Sequence, residues 1–463
     1  MLNEGLIKDV LDEALSMGAD FAEIFVEQTQ SQSISMISHK VDKANQGQDF
    51  GIGIRLFQGI QSVYGYTNDA TRDNLLKTAR TLASALTGKN RVSALNLTKQ
   101  DIVNQHLIKY DLQDIPASQR IEKMRQVSET IQGYHPSISQ SKVNLIEKQQ
   151  NVLIANSEGL LAEDTRTYIR LALTAVASNG REMQTGSHGP GAHQGFEFIE
   201  NLDLDFYAND AARQALTMLK ADQCPSGKMP VIIDNGFGGV IFHEACGHGL
   251  EATAVAKNIS VFSGRLGEKV ASDMVTAIDD GTIPNAWGSL NIDDEGTKAR
   301  RNILIENGIL KSYLVDKLNG RRMNHPSTGS GRRQNYRYAP TSRMTNTFIA
   351  NGPHTREGII ADTEYGLYAK SMGGGSVNTA TGDFNFAVNE GYMIRNGKIA
   401  EPVRGATLIG NGPSILHLID RVGNNLTRAQ GMCGSVSGSI PTDVGQPAIR
   451  VKEMTVGGAK GDE

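Results

Sequence analysis

The chain is poor in cysteine, in aromatic residues and in excess charge, and it lacks long apolar runs. Its three cysteines, Cys224, Cys246 and Cys433, are too few for the disulfide framework of a secreted protein, so we expect a reducing compartment, the cytoplasm. A net charge of −4 over 463 residues predicts no strong attraction to nucleic acid or to a membrane surface. No apolar stretch approaches the roughly 18 residues that a membrane span requires.

Glycine is abundant, at 50 residues, and short alternating runs of apolar and polar residues surround many of these glycines. This combination favours strands joined by tight turns. Asn307-Gly308 and Asn396-Gly397 each lie between apolar runs, which predicts two β-hairpins. The segment 141–178 is interpreted as three strands, with a turn at residues 157–159.

Helical periodicity predicts four long helices. The first begins the chain and ends at Gly18, and it lacks the basic start and continuous apolar run of a signal peptide. The others are expected at about 71–86, after Pro116, and at about 204–220. Turn-forming residues at 221–227 then separate this last helix from a new apolar run, so we predict two domains, 1–222 and 223–463. The predicted class is α+β: an N-terminal domain of helices and antiparallel strands, then a strand-rich C-terminal domain carrying a short helix.

That short helix contains the string HEACGH, in which His243 and His248 lie five residues apart. Zinc peptidase helices place the two histidines four apart, whereas five residues of regular helix would separate them by about 140°. A π-bulge, or a helix that ends at Gly247, would bring both imidazoles together, and we expect Gly247 and Gly249 to ease either departure. Glu244 could then take a proton from a metal-activated water. From the spacing alone, two unrelated histidines are the more frequent explanation of such a string.

A catalytic zinc site needs a third protein ligand and an open coordination position. The downstream candidates are Glu251, Glu268, His325, His354, His417 and Cys433. Glycines on both sides of Cys433 would let its backbone approach a metal closely, although a lone cysteine is often a small buried apolar residue. We interpret Cys246, inside the motif, as a packing residue.

Two charged clusters in the sequence could suggest a nucleic-acid patch and a calcium loop, but the sequence favours other interpretations. Arg332, Arg333, Arg337 and Arg343 predict a solvated loop or contacts to a substrate carboxylate. The acidic run at 293–295 lacks the alternating ligand spacing of a calcium loop and predicts a turn.

Nine motifs taken together resemble a known family. In chain order they are HEACGHGLE, FSGRLGEKVAS, IDDEG, LIENGIL, GRRQNY, SRMTNTFIANG, MGGGSVNTATGDF, PVRGATLIGNGP and GMCG. They lie between about residue 231 and the C-terminus, in the order found in the TldD/PmbA family of metallopeptidases, and the N-terminal half is similar in its pattern of helices and strands.

The resemblance implies a zinc-dependent peptidase that cleaves unfolded or extended peptides. It implies that His243, His248 and Cys433 hold one Zn²⁺ per chain, that Glu244 is the general base, and that residues 223–463 form the metallopeptidase domain. It also implies a heterodimer with a TldE/PmbA-like subunit, or a homodimer, in which a chain that retains the motif is the catalytic member. The alternative is a noncatalytic scaffold subunit whose metal is structural.

Overall fold

The computed structural model describes residues 2–86, 88, 92–378 and 381–458 and has the predicted α+β architecture. Its α-helices are α1 (Glu4–Leu15), α2 (Arg72–Ala83), α3 (Ala117–Gly133), α4 (Glu197–Asn201), α5 (Leu204–Lys220), α6 (Val240–Ala245), α7 (Ala252–Val255), α8 (Lys317–Met323), α9 (Arg356–Ala361) and α10 (Gly412–Leu418). The four helices predicted from periodicity are present as α1, α2, α3 and α5. No helix in the described residues is long and apolar enough to cross a membrane.

The first sheet is built from the N-terminal half of the chain. Its strands are β1 (Phe21–Ile37), β2 (Lys40–Gln58), β3 (Gln61–Thr67), β4 (Thr98–Lys99), β5 (Ile138–Asn156), β6 (Leu160–Ser178), β7 (Met183–His188) and β8 (Gly191–Ala192). The order is β3-β2-β1-β5-β6-β4, and both β7 and β8 pair with β6. Segment 141–178 therefore contributes two long strands joined at the predicted turn, and the prediction of three strands is wrong.

Alternation along β1 explains how this sheet is covered on both faces. The even-numbered side chains pack under α1 and α2 at one end and under α3 and α5 at the other. The odd-numbered side chains face the C-terminal half, where Phe25 joins a buried cluster with Ile292 and Tyr336. Glu23, on the same face, is 2.8 Å from Arg55 and 2.7 Å from Arg333. The sheet is thus packed between helices and the C-terminal half.

Buried ion pairs connect the two halves at this face. Arg55 bridges Glu23 to Glu295 of the C-terminal half, at 2.8 Å and 2.6 Å. Burial alone would raise the pKa of Glu23, but the Arg55 and Arg333 guanidiniums hold it below its usual range. The acidic run at 293–295 forms a turn as predicted, yet its carboxylates are buried. Arg332 and Arg333 are buried as well, so the prediction of a solvated arginine loop is wrong for them, because acids and carbonyls distant in sequence surround them.

In the part of the C-terminal half that the structure describes, there are two larger sheets and one short ribbon. Its strands are β9 (Asp222–Gln223), β10 (Gly227–Ile233), β11 (Ala277–Asp280), β12 (Arg301–Glu306), β13 (Ile309–Leu310), β14 (Gly331–Arg332), β15 (Thr341–Ser342), β16 (Asn346–Ile349), β17 (Tyr365–Val377), β18 (Asp383–Arg395), β19 (Lys398–Arg404), β20 (Thr407–Asn411), β21 (Ile419–Val422), β22 (Thr427–Ser435), β23 (Gly438–Gln446) and β24 (Ile449–Gly457). One sheet has the order β17-β10-β24-β20-β18-β19-β9, and a further β17–β18 pairing closes five strands into a ring. The other has the order β13-β12-β11-β16-β23-β22.

Both hairpins predicted from Asn-Gly pairs are present. Asn307 and Gly308 connect β12 to β13, and Asn396 and Gly397 connect β18 to β19. All four residues have positive φ, the backbone conformation that favours Asn and Gly at these turns. The domain division at residue 222 stays a prediction; β9 begins there and pairs with β19. One large apolar core lies among the C-terminal sheets and includes the buried side of α6, which carries the histidine motif.

Candidate metal centre

Helix α6 is short because its backbone changes direction at Cys246. Val240, Ile241 and Phe242 anchor the helix in the core. Cys246 then adopts φ −129° and ψ −46°, and a 3₁₀ segment follows from Gly247 to Leu250. The expected departure from regular helix is present, but it is neither a π-bulge nor an end at Gly247, since α6 ends at Ala245.

The glycines of this segment are required for space. A Cβ on Gly247 would lie 2.3 Å from Sδ of Met344, and a Cβ on Gly249 would lie 2.9 Å from the Phe262 ring. Neither glycine has a positive φ. Glycine at these two positions lets the segment pack closely against Met344 and Phe262, and its easing of the unwinding stays a prediction.

Cys433 reaches the motif from β22, at the edge of the other sheet. It pairs with Ile440 of β23, and strand alternation turns its side chain inward while neighbouring Met432 is half exposed. Arg343 fixes this hairpin, because its guanidinium donates to the carbonyl of Cys433 and, at 2.9 Å each, to Oγ of Ser437 and the carbonyl of Gly438. Arg343 is fully buried, so the sequence-based interpretation of a solvated loop is wrong for this residue too.

The structure brings His243, His248 and Cys433 together. One nitrogen of each imidazole and the Cys433 sulfur all lie within 4.8 Å of one another. The Cys433 thiol is 3.3 Å from Nε2 of His248, and the two imidazole rings are 5.2 Å apart, edge to face. All three side chains are buried. Within the described residues, no other group of three or more His, Cys, Asp or Glu side chains forms such a cluster.

Glu251 orients the second histidine. Its Oε2 accepts a hydrogen bond from Nδ1 of His248 at 3.1 Å, which leaves Nε2 directed at Cys433. Burial alone would lower the pKa of His248, but the Glu251 carboxylate and the Cys433 thiol raise it well above its usual range. A carboxylate on the far nitrogen of a metal-ligating histidine is a recurring arrangement that fixes its tautomer. Glu251, one of the third-ligand candidates in the sequence, is therefore an orienting partner of His248.

The Cys433 thiol lies in an electropositive setting. Burial would raise its pKa, but the imidazoles of His243 and His248 hold that pKa well below its usual range. By contrast, burial raises the pKa of the fully buried Cys246 thiol, which lies in the apolar core. The thiolate is the form that binds metal, so Cys433 is suited to ligation and Cys246 to packing.

Glu244 is the most exposed acidic or imidazole side chain of the centre. Its side chain is 30% exposed, and its Oε2 lies 3.6 Å from Nε2 of His248. His243 is almost fully buried, and its Nδ1 has no hydrogen-bond partner among the described residues. The centre therefore combines buried donor atoms with one carboxylate that water can reach.

The remaining ligand candidates lie elsewhere. Glu268 is exposed and pairs with Arg265 at 2.8 Å. His325 is exposed and contacts the carbonyl of Pro326. His354 is hydrogen-bonded to Val422, and His417 lies on α10. None of these side chains joins the three-residue cluster.

The donor set of the cluster fits a zinc ion. Zinc binds both imidazole nitrogen and cysteine sulfur, and catalytic zinc sites with mixed histidine and cysteine ligands occur. Tetrahedral ligands at about 2.0–2.3 Å from zinc lie about 3.5 Å from one another. The observed 3.3 Å between Cys433 and His248 matches such a spacing. The partnerless buried Nδ1 of His243 also fits an atom or ligand still to be bound.

Family models match most of the chain. The model of the PmbA/TldA metallopeptidase C-terminal domain matches residues 226–458, that of the central domain matches residues 110–219, and that of domain 1 matches residues 22–86. The cluster lies within the first of these matches.

Named relatives and a solved structure agree with these matches. The chain is 35% identical to a metalloprotease TldD homolog of Haemophilus influenzae, over 99% of this chain and 97% of that protein. It is 26% identical to a zinc metalloprotease TldD homolog of Saccharolobus solfataricus, over 97% and 99%. TldE of Thermococcus kodakarensis, 18% identical, shares the fold with a TM-score of 0.78 over 97% of this chain and 99% of that chain. The chain therefore belongs to the TldD/PmbA family of metallopeptidases.

Proposed function

We propose that the chain is a zinc-dependent peptidase that hydrolyses unfolded or extended peptides. His243, His248 and Cys433 hold one zinc ion per chain, and Glu244 is the general base. The observation that carries this proposal is the meeting of three buried ligand atoms within 4.8 Å beside a carboxylate that water can reach. The name of the Saccharolobus solfataricus relative supports zinc as the metal.

Zinc held by these residues would supply Lewis acidity toward water and toward the scissile carbonyl. The chain supplies the proton transfers. Glu244 takes a proton from the attacking water as its oxygen bonds to the carbonyl carbon, and the same carboxyl can give that proton to the leaving amine as the C–N bond breaks. Its partial exposure allows both water and substrate to approach.

The other residues hold the donors in place. Glu251 fixes the orientation of His248 through Nδ1, and Arg343 fixes the β22–β23 turn beside Cys433. Three protein donors would leave one position of a tetrahedral ion for substrate or water, as in catalytic sites, whereas a noncatalytic scaffold subunit would close the site with a fourth. Within the described residues, the cluster contains three.

We also propose that the chain acts in the cytoplasm as one half of a dimer. All three cysteines are free and buried, and Cys433 must stay reduced to bind metal. The family and the fold shared with TldE favour a heterodimer with a TldE/PmbA-like subunit over a homodimer. Mixing the chain with such a subunit and measuring the mass of the complex tests this pairing.

The catalytic proposal is tested by zinc content and peptide cleavage of the wild type and Glu244→Gln. We expect Glu244→Gln to retain zinc and to lose at least about 100-fold in cleavage rate, because the general base is removed while the ligands stay. Asp273→Asn, at an exposed carboxylate on another segment, is the matched control and should cleave normally. Wild-type cleavage by zinc-loaded Glu244→Gln would overturn the proposed role, and a zinc-loaded wild type that cleaves no peptide, alone or with a TldE-like subunit, would favour the scaffold.

A further inference from the structure

A cavity that is separate from the histidine cluster lies between the two halves of the chain. It has a volume of about 280 Å³ and opens beside the exposed side chains of Ile146 and Met432. Its apolar wall includes the buried side chains of Trp287, Leu290 and Ile440. Met432 and Cys433 are neighbours on β22 with opposite orientations, so the cavity lies behind the strand that presents Cys433.

Three cations at this cavity have no carboxylate partner. Lys148, Arg170 and Arg332 all line it, and within the described residues none of them lies within 4.0 Å of an acidic oxygen. Among the described residues, the Arg332 guanidinium donates to the carbonyls of Met344 and Pro441, at 2.6 and 2.8 Å. Burial lowers the pKa of all three groups, as expected for cations that nearby acids do not fully compensate.

The nearest acids are already engaged. Asp294 lines the cavity but accepts from Arg166 at 2.6 Å and from the backbone N–H of Arg333 at 2.7 Å. Glu27, which acts on Lys148 through space, accepts hydrogen bonds from Thr29, Gln150 and the backbone of Tyr336. Asp443, which acts on Arg170 through space, pairs with Arg428 at 3.1 Å. Within the described residues, Lys148, Arg170 and Arg332 are therefore left without a carboxylate of their own.

Arg332 is buried, and Lys148 and Arg170 are half-buried. Cations withdrawn from water are rarely left unpaired, because removing a charge from water is expensive unless an opposite charge compensates it. An apolar and aromatic wall with a few convergent polar groups is also the usual composition of a small-molecule site. We propose that this cavity binds a small organic carboxylate with an apolar or aromatic body. Its carboxylate would pair with Lys148 and Arg332, and its body would pack against Trp287.

The side chains that would contact this ligand also hold the strand of Cys433. Arg170 donates to the carbonyl of Gln430 at 3.0 Å, and Nε1 of Trp287 donates to the carbonyl of Gly431 at 2.8 Å. Arg332 holds Pro441, the register partner of Met432. A ligand here would therefore contact the groups that set the position of β22, although the binding site does not depend on the function proposed for the metal centre.

Trp287 is the single tryptophan of the chain and lines this cavity, so a change in its fluorescence emission can detect a bound ligand. We use hippurate (N-benzoylglycine), its uncharged amide and inorganic phosphate as probes of the full-length protein, and follow tryptophan emission. We expect hippurate to change the emission saturably, and the amide and phosphate each to bind at least about tenfold more weakly, because each lacks one of the two recognised features. Lys148→Met should weaken hippurate binding at least about tenfold, whereas Lys142→Met, at an exposed lysine of the same strand, should not.

Three results would overturn the assignment. One is an emission that hippurate leaves unchanged well above about 1 mM. Another is equal binding of hippurate and its amide, which would show that the cations do not recognise the carboxylate. The third is equal binding of phosphate and hippurate, which would leave no role for the apolar wall. Circular dichroism of Lys148→Met establishes that any loss of binding occurs in a folded protein, and calorimetric titration of hippurate supplies a second readout of binding if the variant does not fold.

Discussion

The Cys433 thiol lies 3.3 Å from Nε2 of His248 although 185 residues separate them in sequence. One partner lies on a 3₁₀ segment after α6 and the other on the edge strand β22. The cluster consequently forms only when the histidine segment and the distant β22–β23 hairpin have packed together. A metal bound there would stabilise the folded chain, since the unfolded chain offers no such preformed site.

Glu251→Gln tests the partner of His248. The amide keeps a hydrogen-bond acceptor but loses the negative charge that raises the pKa of His248. We expect zinc affinity to fall about 10- to 100-fold, as measured by competition with a chelating dye. Glu268→Gln, at an exposed side chain paired with Arg265, is the control and should bind zinc normally. Equal zinc affinities for the two variants would show that Glu251 does not support the ligand.

The two cysteines near the centre should respond differently to truncation. Cys433→Ala removes a proposed ligand, so we expect the variant to lose bound zinc on dialysis. Cys246→Ala removes a sulfur from the apolar core and should keep zinc, while its free energy of unfolding falls by about 0.5–3 kcal/mol. Metal analysis and urea denaturation measure the two quantities. Loss of zinc from Cys246→Ala, in a folded protein, would contradict the assignment of Cys433 as the sulfur donor.

Gly247→Ala tests the tight packing of the histidine segment. The added Cβ would lie 2.3 Å from Sδ of the buried Met344, so we expect a loss of about 1–3 kcal/mol in the free energy of unfolding. Gly374→Ala, where an added Cβ meets nothing within 4 Å, is the matched control. Combining Gly247→Ala with Met344→Ala should cost less than the sum of the single changes. Strict additivity in this double-mutant cycle would argue against the contact.

Arg55→Met tests the connection between the halves of the chain. It leaves the buried carboxylates of Glu23 and Glu295 without this guanidinium, and we expect a loss of about 3–5 kcal/mol in the free energy of unfolding. Arg72→Met breaks an exposed pair with Asp9 and should cost about 1 kcal/mol or less. Urea denaturation at neutral pH compares them. If the free energy of unfolding falls by the same small amount in both variants, the buried ion pairs of Arg55 do not hold the halves together.

Features fixed by local sequence could be predicted. The periodicity of α5 and the Asn396-Gly397 turn each depend on residues adjacent in the chain, and both agree with the structure. The division of segment 141–178 into three strands failed because ordinary strands are short, whereas β5 and β6 each extend over 19 residues by pairing with each other. β5 also pairs with β1, which has 17 residues.

The two histidines of the candidate centre could be identified from the sequence, but the geometry of the segment that carries them could not. His243 and His248 stand out in the sequence, whereas the end of α6 at Ala245 depends on contacts such as Gly247 with Met344. The supporting role of Arg343 was missed because its partners lie 90 or more residues away, and nothing in an arginine-rich segment indicates burial. The cavity beside Lys148 likewise exists only where the two halves of the chain meet.

X-ray absorption at the zinc edge of the zinc-loaded protein tests the central claim most directly, because it counts the donors by element and distance. We expect one sulfur at about 2.3 Å, two imidazole nitrogens at about 2.0–2.1 Å and a fourth, lighter ligand from solvent. A spectrum without sulfur, or one in which four protein donors close the site, would contradict it.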